Sequence, residues 1–139
     1  MSESALLCML GKLLSGSYDP VAAIVEHETA RGFRVVRPGD APWLPAGDWK
    51  PASVASVDGD TARLVLIDAI RPGTGALTLC LALIRKHGLS PAIIDPTPEL
   101  AATLTRRGWK GRRIGTTFDT RETVWRPRGK RIRKQERDQ

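Results

Sequence analysis

Apolar positions along this chain fall into short blocks of two kinds, some at helical spacing and some in extended runs. Ala5 to Leu14 repeats at helical spacing and stops at Ser15-Gly16-Ser17. Asp19-Pro20 then reads as a helix start, with Asp19 as N-cap and Pro20 at the first helical position. That second helix runs to about Arg31, and Gly32 supplies its C-cap. "FRVV" predicts a short strand. The next 16 residues, "RPGDAPWLPAGDWKPA", hold four prolines and two glycines and predict a long loop. "SVASV" and "ARLVLIDAI" predict two strands joined at Asp58-Gly59-Asp60, which is hairpin chemistry. The second is almost continuously apolar, as a central strand should be.

A glycine turn follows at Arg71 to Ala76. Ala76 to His87 is apolar nearly all round and predicts an interior helix closed by Gly88. "PAIID" predicts a strand. Asp95 or Thr97 caps the next helix, from about Pro98 to Arg107, and Gly108 ends it. "WKGRRI" and "TRETVW" predict a closing pair of strands. A strand–helix–strand unit over residues 61–95 demands parallel neighbours, because a crossover returns the chain in the same direction. The expected fold is therefore α/β of the α+β kind. It is a mixed, mostly antiparallel sheet with a central parallel strand pair, flanked by helices. Nothing ahead of the first helix reads as a strand, so either the sheet is short or another chain completes it.

Charge divides the chain unequally. Of 139 residues with a formal charge of +7, the last 14 hold seven basic and two acidic residues, a net +5. Residues 1–125 read as a single domain and 126–139 as a basic tail too poor in apolar residues to fold alone. The tail's ordinary reading is a solvated end. Its functional reading is contact with the phosphates of a nucleic acid or another polyanion through Arg128, Lys130, Arg131, Arg133 and Lys134. Arg106, Arg107, Lys110, Arg112 and Arg113 would extend that patch. Cys8 and Cys80 lie in apolar runs and read as buried free thiols, which fits a reducing cytoplasm. No His/Cys spacing suggests zinc, and no segment reads as a membrane span.

The strand "RLVLIDAI", the turn "RPGTGA" and the long helix after it resemble a motif of the GNAT N-acetyltransferase superfamily. There the turn reads Arg/Gln-x-x-Gly-x-Gly/Ala. "PAIIDPTPELAATLTRRGWK" is similar to the next strand and helix of that superfamily, which end in a Gly-aromatic step. The run "RRGWKGRRIGTTFDTRETVWRP" is similar to small GNAT-like proteins of tailed phages, which would add a host cytoplasm or a virion as location. The resemblance covers roughly Val54 to Trp125. It implies acetyl-coenzyme A as cofactor, with Arg71, Gly73, Thr74, Gly75 and Ala76 around its pyrophosphate. Small residues are needed there so that backbone N–H groups reach the phosphate oxygens, with the helix N-terminus aimed at the same anion. Either Arg71 opens the motif and Thr74 stands where it has glycine, or Gly73 and Gly75 are its pair and the basic residue is one step too close; Thr74 reads as a helix cap or a hydroxyl donor to phosphate.

The chemistry of acyl transfer is less complete. The resemblance implies a tyrosine that steadies the departing thiolate, and alignment puts Leu104 there. For a base, Asp68 at the end of the central strand and His27 in the polar run Glu26-His27-Glu28 are the candidates. Each also has a plain reading, as a solvated strand-end acid and a surface histidine. Cys80 is a weak nucleophile candidate. Two functions follow: an acyl-coenzyme A-dependent N-acyltransferase with degenerate motifs, or a non-catalytic GNAT-like phage accessory or virion protein. The second would bind nucleic acid, a protein partner or its own copy.

Overall fold

The structure is a computed structural model describing residues 19–115 and 121–128. The expected first helix, Cys8 and Lys130 to Lys134 lie outside them. Among the described residues, three helices and six strands follow in order: α1 (Pro20–Ala30), β1 (Arg34–Val36), β2 (Val54–Asp58), β3 (Thr61–Leu66), α2 (Ala76–Lys86), β4 (Ser90–Ile94), α3 (Pro98–Arg106), β5 (Lys110–Gly115) and β6 (Arg121–Arg126). The strands form one sheet in the order β1-β2-β3-β4-β6-β5. Only β3 and β4 run parallel, in register from Thr61↔Ser90 to Leu64↔Ile93. Every other pair is antiparallel. The mixed, mostly antiparallel sheet with a central parallel pair is thus present.

Local chemistry sets the element ends. The Asp19 carboxylate accepts from the N–H groups of Val21 and Ala22 at 3.0 and 3.4 Å, and Pro20 gives up no hydrogen bond in the first turn. Gly59 takes a φ of +60° in the two-residue turn between Asp58 and Thr61, a region costly for a residue with a Cβ. Thr97 rather than Asp95 caps α3, accepting from Leu100 N–H at 3.2 Å. Asp95 is used elsewhere. Its Oδ1 accepts from Thr123 N–H at 2.7 Å, and its own N–H donates to Thr123 O at 2.8 Å, which ties β4 to β6.

Alternation along β3 separates two interiors. Ala62 and Leu64 face one side with Ala55 and Ile93, where α2 and α3 bring Cys80, Leu81, Ile84 and Leu104. Trp43, Leu44 and Trp49 of the proline-rich loop pack into the same core, each no more than 3% exposed, so both loop tryptophans are anchors. The opposite side holds Ala92, Ile94 and Val124 together with buried polar groups.

Three expectations need correction. The apolar run of β3 does not continue to Ile70. The continuous strand ends at Leu66, and beyond it the proline-rich loop takes over the backbone groups in an isolated antiparallel bridge, Trp49↔Ala69. Lys50 N–H donates to Asp68 O at 2.8 Å, and Ile70 N–H to Asp48 O at 3.0 Å. Second, α2 is not an interior helix. Cys80, Leu81 and Ile84 are buried, but Leu79 is 49% exposed, so the helix lies on the sheet with one face in water. Third, Arg126 is not the first tail residue. It belongs to β6, in register with Lys110.

β5 is an edge strand exposed along its whole length. Gly111 lies opposite Trp125, and a Cβ at Gly111 would fall on the indole ring. The missing side chain is what lets that ring lie across the strand.

Candidate functional site

β3 and β4 stop pairing after Leu64↔Ile93, although β3 continues to Leu66. A cleft of about 480 Å³ opens beyond that point. Ile67, Ala69 and Arg71 line it from the segment after β3, and Gly73 and Gly75 from the turn. Ala76, Leu77 and Thr78 contribute the first turn of α2, while Leu100, Thr103, Leu104 and Arg107 contribute one face of α3. Trp49 forms a further part of the wall.

The turn delivers backbone donors to this cleft. Gly73 and Gly75 have φ of +81° and +84°, and nothing stands within 4 Å of where a Cβ on either would be. Gly75 is the N-cap of α2, and no side chain caps that helix. Its first-turn N–H groups are therefore left for solvent or an anion, and the helix dipole favours the anion. Arg71 and Arg107 add two guanidiniums, and no acid is among the lining residues.

Four of the five cofactor-site residues read from the sequence, Arg71, Gly73, Gly75 and Ala76, meet in this cleft. Thr74 does not. It faces a small neighbouring depression with Gly47 and Asp48, and its hydroxyl donates to Arg71 O at 2.6 Å. That bond closes the turn and removes Thr74 as a helix cap. Arg107 and Thr103 were missed as cleft residues. Their only sequence signal is position: Arg107 immediately precedes the Gly-Trp step, and Thr103 lies one helical turn before Arg107, flanking Leu104.

The base candidates stand apart from the cleft. Asp68 is not desolvated. Its side chain is 54% exposed and pairs with Lys50 Nζ at 3.5 Å. His27 is not a surface histidine but is buried on α1, where burial, as the largest influence, lowers its pKa below the usual 6.5. Neither lines the cleft. Cys80 is a poor nucleophile, since burial foremost and Asp48 secondarily push its thiol up to about 12. Thr105, the hydroxyl next to Leu104 in the chain, is exposed and donates to Ala101 O at 2.9 Å, so it is no ready proton donor to a thiolate. Among the described residues no group of three His, Cys, Asp or Glu could hold a metal ion, and no helix is long and apolar enough to cross a membrane.

A second cluster, on the other side of the sheet, has no counterpart in the sequence reading. Glu28 of α1 is 1% exposed. Its Oε1 accepts from Ser56 Oγ at 2.7 Å and Arg63 Nε at 3.1 Å, and its Oε2 from Arg63 Nη2 at 3.3 Å. Glu122 of β6 accepts from Arg63 Nη1 at 3.1 Å through Oε2, and from Arg31 Nη1 at 2.9 Å through Oε1. Phe33 lies under both guanidiniums, 4.6 Å from each. Two carboxylates and two guanidiniums satisfy one another, so this cluster joins α1 to the sheet and offers no open valence to a ligand.

The cluster and His27 give stability a direction with pH. Burial alone would raise the Glu122 carboxyl, but hydrogen bonds from Arg63 and Arg31 outweigh it and hold the pKa below 4.5. A depressed acid adds stability above its unfolded pKa and loses it as pH falls through the folded value. His27 acts earlier. Above pH 6.5 it is neutral in both states and contributes nothing. Below 6.5 the unfolded chain takes up a proton that the folded one resists, so stability falls. Urea denaturation should therefore show a first loss beginning near pH 6.5 and a second below about pH 4.5. His27→Gln should remove only the first.

No protein family model matches this chain, and comparison with curated proteins and with solved structures finds no match either.

Proposed function

We propose that this protein is GNAT-like and binds acyl-coenzyme A in the cleft between α2 and α3. The observation that carries this reading is the turn Arg71–Ala76, whose uncapped helix N-terminus opens where β3 and β4 part. One parallel pair that separates beside a glycine turn, followed by two closing antiparallel strands, is the arrangement that the resemblance implies.

The residues present fit such a ligand. Amides of the turn and of Ala76, Leu77 and Thr78 would hold the pyrophosphate, with Arg71 and Arg107 neutralising it. Ile67, Leu77, Leu100 and Leu104 offer apolar contact to the pantetheine arm. Trp49, in the same wall, has an indole N–H without a hydrogen-bond partner among the described residues. The bound group would bring an activated thioester.

Leu104 favours binding without efficient transfer. It is 1% exposed and lines the cleft at the position where the resemblance implies a tyrosine, and a hydrocarbon cannot protonate a thiolate. Thr103 Oγ1 donates to Glu99 O at 3.2 Å and accepts from Arg106, so it is not a ready replacement. The non-catalytic reading rests on this side chain.

Calorimetry with coenzyme A and acetyl-coenzyme A tests the binding. Saturable heat is the expected result. A ligand at a hundred times its Kd should also stabilise the folded chain by about 2.7 kcal/mol. No heat at millimolar coenzyme A would overturn the reading. Thiol release from acetyl-coenzyme A in the presence of amines then separates an enzyme from a binder.

A further inference from the structure

The sheet carries a second concave surface that the cleft does not use. At the β5–β6 edge a groove of about 680 Å³ is lined by Lys110, Arg112, Arg126 and Arg128, with Ile114 and Val124 as its apolar floor. A smaller groove of about 380 Å³ lies on the other side of Arg126, Pro127 and Arg128, and adds Arg85. All five basic side chains are exposed, and no aspartate or glutamate is among the lining residues of either groove. The nearest acid along β6, Glu122, is already neutralised by Arg63 and Arg31. Such a field is attractive to a polyanion and to little else.

We infer that this paired groove binds single-stranded nucleic acid along its phosphate backbone. Lys110 and Arg112 point to the same face of β5, two residues or about 6.6 Å apart along an extended strand, which suits successive phosphates. Arg126 stands in register with Lys110 across the edge, so the cations form a row rather than a point. Four of the five are arginines, which pair with phosphate through a planar fork and stack on bases. Ile114, 38% exposed, and Pro127 give base faces apolar surface among the charges. A carboxylate-bearing peptide would satisfy the charges but has no flat rings to lay on those contacts. Recognition should be nearly independent of sequence, because contacts to phosphate do not read bases. This surface shares no residue with the cleft, so its binding should persist whether or not coenzyme A binds.

The test is fluorescence anisotropy of the full chain with a labelled oligothymidylate at several salt concentrations. Wild type should bind at low salt and weaken as salt rises. Lys110→Gln/Arg112→Gln/Arg128→Gln should lose at least about tenfold in affinity and lower the salt slope by about 2, at roughly 0.7 per single-strand phosphate. The pair Arg85→Gln/Arg128→Gln, both outside the strands, should show a smaller drop of the same kind and guards against a folding defect in the triple variant. Neutralising Lys130, Arg131, Arg133 and Lys134 should leave a groove-dependent share of the affinity. Absence of binding at low salt, or a triple variant with wild-type affinity and slope, would overturn the inference. Tighter binding to polyglutamate than to the oligonucleotide would overturn it in favour of an acidic protein partner.

Discussion

Arg63→Leu should cost about 3–5 kcal/mol of folding free energy, the usual loss when one partner of a buried ion pair is removed. That is a large part of the roughly 5–15 kcal/mol that holds a domain folded. The arginine is 5% exposed and serves both carboxylates at once. Without it Glu28 keeps the Ser56 hydroxyl and a 3.8 Å approach to Arg31, while Glu122 keeps its bond from Arg31. Leucine fills volume but donates nothing, so a carboxylate must lie buried and under-paired or be protonated. Equilibrium urea denaturation measures the loss. Glu28→Leu/Arg63→Leu should recover much of it, since apolar residues of similar size often replace a buried pair without penalty. A single-variant loss under about 1 kcal/mol, the range typical of exposed pairs, would mean that water reaches the cluster.

Gly75→Asp should abolish measurable coenzyme A binding while the fold survives. Space is available around the Cβ, so the side chain meets no wall. Its carboxylate would sit at the N-terminus of α2, accept from the N–H groups meant for the pyrophosphate, and repel that anion. The φ of +84° makes any side chain there strained, but aspartate visits this region more readily than most, and a new N-cap bond offsets part of the strain. Calorimetry should show at least a hundredfold rise in Kd, and the melting temperature should move only slightly. Arg107→Gln should weaken binding by about tenfold or more, as loss of a charge-assisted hydrogen bond does. If wild type binds and both variants bind equally well, the ligand occupies a different surface.

Much of this fold can be read from short-range chemistry. Asp19-Pro20, Asp58-Gly59-Asp60 and Thr97-Pro98 each fix a boundary within a few residues, because a cap or a turn depends on neighbours in the chain. The parallel pair was legible for a similar reason, since strand, helix and strand in succession leave few arrangements. The turn after β3 was visible in its glycines, although the role of Thr74 was not. A hydroxyl two residues before a helix fits either a cap or a turn-closing bond, and only the backbone path chooses between them. The ionic cluster was hidden because Glu28, Arg63 and Glu122 come from three distant segments. Two anomalies did mark it: an arginine inside the apolar run "ARLVLIDAI", and Glu28 on a helix whose buried face is Ala23, His27 and Glu28 rather than a hydrophobic stripe. The interior reading of α2 failed for the opposite reason. A helix apolar nearly all round need not be covered all round, and Leu79 remains half in water.

The Arg31–Glu122 bond joins positions 91 apart, and Arg63–Glu122 positions 59 apart. Contacts across such separations close large loops of chain, and their entropy must be met before they return anything. Glu122 can reach either arginine only after β6 has docked against β4, and among the described residues β6 is the last strand in sequence order. The Glu122 half of the cluster is therefore expected to form late and to act as a latch on escape from the native state, whereas Glu28, Ser56 and Arg63 can meet before β6 docks. Stopped-flow measurements on Glu122→Gln should find refolding at nearly the wild-type rate and unfolding accelerated, the signature of an interaction absent from the transition state.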